Sequence, residues 1–370
     1  MALAISPTDD LRAAIALPNR LLAGDPSWVP PIGVVVHRRT AGWIAEGRLR
    51  LLSATRDGEL VGTISVLRDR EFEQDKDERV AWFGYFDCVD DPQVAAALFD
   101  AATAIAREWG ATHLRGPRDL TRFENGGLTI EGYDQLPPFL CRHHPPRYRG
   151  LVEGAGFVAH HDVLAYHTPV IDDLGRPREL PEGLADKARA VDLPGLRIRA
   201  ASRWSMGADL VAAHEVLNAS FRTVPDVAPM PRGMFVSVGR PFLLVADPRL
   251  LQLASVNGRP VGFAACFPEV NEAVVTTGGS LLPFGWARLV RGLRRVRTAS
   301  FKLIGVLPEL RGSGLHARLI SEIVDGVRAA GYERLEASVI DERNAPMRAV
   351  VEHAGMTIYR RYRFYQREVR

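Results

Sequence analysis

The chain has 370 residues, 46% hydrophobic and 25% charged, with a formal net charge of +3 and a pI of 8.9. That length calls for two domains rather than one core, and so balanced a composition excludes long disordered tails. The charge is too weak to argue for nucleic acid, and the three scattered cysteines (Cys88, Cys141, Cys266) lack the spacing of a zinc site, so no metal is expected.

The first twenty residues have neither the basic start nor the apolar core of a signal peptide, and no apolar run approaches the roughly 20 residues that span a bilayer. The expectation is a cytoplasmic protein, peripheral at most to the inner face of a membrane. A GDPxWVPP segment runs from Gly24 to Pro31, and Asp57-Gly58 forms a two-residue turn inside a hairpin ending in Val61-Gly62. Asp91 and Pro92 then open a helix that runs to Trp109 and closes at Gly110. A long polar, glycine-rich loop follows within Gly116–Tyr148, and Leu151–Phe157 reads as a short helix ending in Gly-Phe. The proline- and charge-rich stretch from Thr168 to Pro194 reads as a linker.

The same layout returns about 200 residues later. Asn257-Gly258 and Val261-Gly262 repeat the hairpin, Leu315–Ala330 with Gly331 repeats the helix, and Val350–Met356 repeats the closing segment. We therefore expect an α/β fold with two tandem copies of one unit: residues 1–175, a linker over 176–194, and residues 195–370. The second copy carries an extra stretch around Pro268–Arg297. Within it, five arginines interleave with Trp286, Leu289, Val290, Leu293 and Val296, the pattern of a helix lying at a membrane surface.

The copies differ where the chain leaves the strand before each long helix. In the second, Phe301–Val306 enters Arg311-Gly312-Ser313-Gly314-Leu315-His316, a glycine loop opening a helix. Free backbone N–H groups and the helix dipole there favour a phosphate or pyrophosphate. In the first, Asp87–Pro92 places carboxylates at the same point, so that copy is expected to fold alike without holding the ligand.

Val306-x-Pro308-x-x-Arg311-Gly312-x-Gly314-Leu315 resembles the acyl-CoA loop of GCN5-related N-acetyltransferases (GNAT), and Asn344 to Met356 resembles that superfamily's closing segment. More loosely, the whole chain resembles bacterial tandem members that act as ceramide synthases. The resemblance implies acyl-CoA as co-substrate, with cofactor contacts from Ile304, Val306, Arg311, Gly312, Ser313, Gly314, Leu315, His316 and Asn344. It implies N-acyl transfer to a primary amine, either a long-chain base or other lipid-like acceptor, or else a small metabolite, peptide or aminoacyl-tRNA. An inactive acyl-CoA-binding protein is the third reading. Two positions depart from the pattern: His316 stands where Gly or Ala is usual, and Val351 stands where a tyrosine often serves as general acid. Glu269, His316 and Tyr359 are the candidates for proton transfer, with Asn271 and Tyr362 nearby in sequence.

Overall fold

The computed structural model describes residues 2–202, 204–222, 224, 226–240 and 246–370. In chain order the first elements are β1 (Leu3–Pro7), α1 (Leu11–Leu21), α2 (Gly33–Ala45), β2 (Leu49–Arg56), β3 (Glu59–Arg68) and α3 (Arg70–Lys76). They are followed by β4 (Val80–Cys88), α4 (Pro92–Glu108), β5 (His113–Gly116), β6 (Leu128–Glu131), α5 (Arg147–Gly154) and β7 (Val158–Pro169). Then come α6 (Glu182–Arg189), β8 (Leu196–Ala200), α7 (Met206–Phe221), α8 (Arg232–Gly239), β9 (Leu251–Val256), β10 (Arg259–Pro268) and α9 (Asn271–Val274). The chain closes with α10 (Gly285–Leu293), β11 (Thr298–Val306), α11 (Leu315–Ala329), β12 (Arg334–Asp341), α12 (Ala345–His353) and β13 (Thr357–Glu368).

Two compact units emerge. Unit 1 holds Met1–Leu164, Asn271–Gly292 and Tyr359–Arg370, and unit 2 holds Ala165–Val270 and Leu293–Ile358. Unit 1 thus includes two pieces that follow unit 2 segments in the chain. Its strands run β1-β2-β3-β4-β5-β13, with β6 on β13. Those of unit 2 run β12-β11-β10-β9-β8.

The local chemistry read from the sequence is what forms each copy. Asp57 and Gly58 (φ +51° and +85°) and Asn257 and Gly258 (φ +51° and +84°) take the left-handed pair of a type I′ turn. Gly110 and Gly331 end α4 and α11 at φ +72° and +81°. Each long helix then lies on its hairpin through a glycine. A Cβ on Gly62 would stand 2.8 Å from a Leu98 methyl, and one on Gly262 would stand 3.1 Å from a Leu319 methyl. The repeated Val-Gly is therefore a point of close helix–strand approach. Around it Val94, Leu98, Phe99 and Ala102 are buried in unit 1, and Leu315, Leu319, Ile323 and Val327 in unit 2. Each large side chain removed from water contributes about 2 kcal/mol.

The two late pieces of unit 1 have defined seats there. In the segment 271–292, the Asn271 amide donates to the Pro137 carbonyl at 2.9 Å, and the Gly33 N–H donates to the Gly279 carbonyl at 3.3 Å. Gly279 lies so close to Pro30 and Pro31 that a Cβ would stand 3.0 Å and 2.7 Å from them. In the C-terminal piece, β13 pairs with β5 (Tyr365↔Gly116), and the Tyr365 hydroxyl donates to Glu153 at 2.9 Å.

Candidate functional site

In unit 2, β10 stays hydrogen-bonded to β11 up to Gly262↔Val306. On the other side, the parallel ladder with β12 runs only from Thr298↔Arg334 to Phe301↔Ala337. Beyond Phe301 the two strands part among the described residues, so the later edge of β11 offers backbone groups instead of a ladder. Ile304 and Val306 lie on that stretch, Ile304 half-buried and Val306 buried. One further irregularity falls here. The register with β10 passes from Ala265↔Leu303 to Cys266↔Phe301, leaving Lys302 as the extra residue of a β-bulge.

At its far end β11 leads into the glycine loop. Gly312 and Gly314 both have left-handed φ, +86° and +82°. A Cβ on Gly312 would meet nothing within 4 Å, whereas one on Gly314 would stand 2.8 Å from the Lys187 carbonyl at the foot of α6. The Ser313 hydroxyl donates to Leu310 O at 2.8 Å and accepts the Leu315 N–H at 3.3 Å. The N–H groups of Gly312, Gly314, His316 and Ala317 have no hydrogen-bond partner among the described residues. Unsatisfied donors at a helix N-terminus suit a pyrophosphate. The Arg311 guanidinium donates to the Ser220 carbonyl at 2.8 Å, which fixes a cation beside the loop. His316 is half-buried; desolvation first, and the Arg311 charge second, hold its imidazole below the usual range. It is neutral at pH 7.

The matching edge in unit 1 is filled. The β4–β5 ladder also spans a short stretch, Val80↔His113 to Trp82↔Arg115, and β4 also carries a bulge, at Tyr85 and Phe86. But the chain leaving β5 folds back along β4. The Arg118 N–H donates to the Phe83 carbonyl at 2.8 Å, and the Tyr85 N–H donates to Asp119 Oδ1 at 2.9 Å. A Cβ on Gly84 would stand 2.1 Å from the Arg118 carbonyl. The helix start is likewise spoken for: Asp91 accepts the Gln93 N–H at 2.8 Å and pairs with Arg56 at 2.7 Å.

The remaining sequence candidates have these places. Asn344 caps α12, accepting the Met347 N–H at 3.3 Å. Glu269 follows β10 in unit 2, buried, its N–H donating to Thr298 O at 2.9 Å. Tyr359 and Tyr362 belong to unit 1, as does Asn271. Val351 is 3% exposed, so the position where a tyrosine would present its hydroxyl is part of the core. Cys266 is buried and its thiol is pushed well up, by desolvation first and Glu336 second, which argues against a thiolate nucleophile.

Sequence reasoning missed Glu336 and Ser338. The Ser300 hydroxyl donates to Glu336 Oε2, and the Lys302 ammonium lies 3.6 Å from that carboxylate and donates to Ser338 Oγ at 2.6 Å. Glu336 is 2% exposed. The signal was available: Ser300-x-Lys302 and Glu336-x-Ser338 put polar residues at period two on strands otherwise built for burial on both faces.

Residues 214–356 match the model of the Acetyltransferase (GNAT) family. Over 371 residues the chain is 32% identical to the "Bacterial ceramide synthase" of Caulobacter vibrioides, covering 97% of this chain and 94% of that protein. It is 29% identical to "Protein YghO" of Escherichia coli over 379 residues, 98% of this chain and 93% of that one. In fold it is similar to a tandem GNAT protein from the clavulanic acid biosynthesis pathway, with a TM-score of 0.55 and 17% identity, covering 100% of this chain and 99% of that chain. The chain belongs to the GNAT acetyltransferase family, as a tandem α/β member and an N-acyltransferase.

Proposed function

We propose that this enzyme moves an acyl group from an acyl-CoA to the primary amine of a long-chain base or similar lipid-like acceptor, using one cofactor site in the second copy. The observation that carries the site is the contrast between two equivalent strand edges. That of β11 runs open below a loop of unengaged N–H groups, while that of β4 is taken up by residues 118 and 119. In this reading the unengaged N–H groups of Gly312, Gly314 and His316 receive the pyrophosphate, while Ser313 holds the Leu315 N–H at the helix start and Arg311 sets a cation beside the loop. Ile304 and Val306 border the pantetheine arm, whose amides suit a strand edge. Asn344 positions the helix that follows β12.

The amine attacks the thioester carbonyl directly, and preorganised donors stabilise the oxyanion. Glu269 and His316, both in unit 2, stand as candidates for the proton lost by the amine. The neutral state of His316 suits a base.

Two observations favour a lipid acceptor: the relative named a ceramide synthase, and α10. Phe284 is 71% and Trp286 57% exposed, with Leu282 and Val290 also exposed beside them. Arg288 and Arg291 make no ion pair among the described residues, and the chain continues with exposed Arg294 and Arg295. Exposed aromatics flanked by unpaired arginines suit an anionic membrane surface. No helix among the described residues is long and apolar enough to cross a membrane.

The test is mass spectrometry of amine-containing lipids after expression of the wild type and of Gly314→Trp. An N-acylated long-chain base present with the first and absent with the second is the expected result. No change in any acylated lipid removes the lipid acceptor.

A further inference from the structure

The strands β11 and β12 part just after Phe301 and Ala337, and the next residue of interest on each is polar: Lys302 on the bulge and Ser338 opposite. Their side chains meet, the ammonium donating to the hydroxyl oxygen at 2.6 Å. Behind them lies Glu336, whose Oε2 accepts from Ser300 and sits 3.6 Å from the Lys302 ammonium, while its Oε1 has no hydrogen-bond partner among the described residues. A buried lysine and carboxylate are costly to hold unless paired, and here they are paired where the ladder ends. A bulge that turns a charged side chain toward a gap between strands is the usual way a sheet aims a functional group.

On the proposed reading of the loop, a pyrophosphate held at residues 311–316 leaves the pantetheine arm to run back along the open edge of β11. The sulfur then comes to the end of that edge. We propose that Lys302 and Ser338 together form the proton donor to the departing CoA thiolate, with Glu336 as the positioning residue that keeps the ammonium in place. As the C–N bond forms and the C–S bond breaks, the Ser338 hydroxyl gives its proton to sulfur and takes one from the Lys302 ammonium. The proton released by the attacking amine passes to its base and from there, through solvent, restores the Lys302 ammonium, so one proton leaves nitrogen and one reaches sulfur. This supplies the acid that Val351, a core side chain, does not.

The test needs no acceptor. Coenzyme A is bound to the full-length protein and its thiol is titrated by the thiolate absorbance near 240 nm, with desulfo-CoA as the blank. In the wild type the bound thiol ionises about one unit or more below free CoA, because a cation lies beside it. Lys302→Met removes the shift, and Ser338→Ala, a milder change that keeps the ion pair, reduces it, while both variants still bind CoA in its protonated thiol form. A thiol that titrates identically in the wild type and in Ser338→Ala or Lys302→Met, with CoA bound, overturns the assignment. If instead Gly314→Trp binds CoA as tightly as the wild type, the loop reading on which it rests has failed, which is a separate result. Where an amine is turned over, acyl-seleno-CoA, whose leaving group needs no acid, should restore most of a ~100-fold loss of turnover in Ser338→Ala.

Discussion

Asp119 holds the backbone of Tyr85: its Oδ1 accepts the Tyr85 N–H at 2.9 Å, on the strand edge whose counterpart in β11 is open. The same carboxylate oxygen accepts from the Asn125 amide at 3.0 Å, so the insertion is anchored along its own length. A protein with two copies of one fold should therefore take up one coenzyme A per chain. Titration calorimetry with coenzyme A is expected to give a stoichiometry near one; a value near two would mean that the filled edge of β4 still opens.

The two loop glycines should respond differently to alanine. At Gly312 a methyl meets open space, so Gly312→Ala pays only for the left-handed backbone, about 1 kcal/mol, and the protein stays folded. At Gly314 the same backbone strain is joined by contact with the Lys187 carbonyl at 2.8 Å. Gly314→Ala should move α6 or the loop and weaken coenzyme A binding by at least tenfold, with the larger fall in melting temperature. Equal effects of the two substitutions would contradict the packing of α6 on the loop.

Arg311 is tied to Ser220 O and is exposed enough to meet a phosphate. Arg311→Ala is expected to raise the dissociation constant for coenzyme A about tenfold, close to one charge-assisted contact. The deficit should shrink as salt rises, because the lost attraction is screened. A salt-independent loss in calorimetry would point to a purely structural role.

Membrane contact through α10 can be read by cosedimentation with vesicles of phosphatidylglycerol and phosphatidylcholine. Trp286→Ser with Arg291→Glu should reduce binding to the mixed vesicles several-fold, since each basic residue near an anionic surface is worth about 1 kcal/mol. Binding that survives the double substitution places the membrane surface elsewhere.

Four histidines make the fold sensitive to mild acid. Burial is the largest cause of the downward displacement of His143, His144, His167 and His316, and a neighbouring arginine comes next in each case: Arg360, Arg142, Arg334 and Arg311 in that order. His143 shows why in unit 1: Arg360 donates to its Nδ1 at 2.8 Å, so its Nε2–H faces Asp25 at 2.9 Å and the ring is neutral. When the folded value lies below the unfolded one, the unfolded chain binds the extra proton, so stability present above the unfolded value near 6.5 is lost as pH falls through it. Urea midpoints should drop between pH 7.5 and 5.5, before ordinary carboxylates titrate. A flat profile over that window would mean the four rings are charged or exposed in the fold.

Much of this molecule could be read from the chain itself. Asp-Gly and Asn-Gly turns, the Asp91-Pro92 helix start, the glycine stops and the Arg311–His316 loop are local chemistry, decided within a few residues by φ preference and capping. The duplicated pattern followed from them, and so did the difference between a helix start with its own carboxylate and one without. Tertiary structure alone decided what fills the strand edges and which unit the late segments join. Whether an edge stays open depends on residues 118 and 119 returning to β4, and the partnership of Lys302 with Ser338 depends on register across two strands 36 residues apart. Likewise Asn271–Gly292 and Tyr359–Arg370 pack in unit 1, although the chain order sets them after unit 2 segments. Such pairings are set by burial and backbone hydrogen bonding between distant segments, and these leave only a faint period-two trace in the sequence.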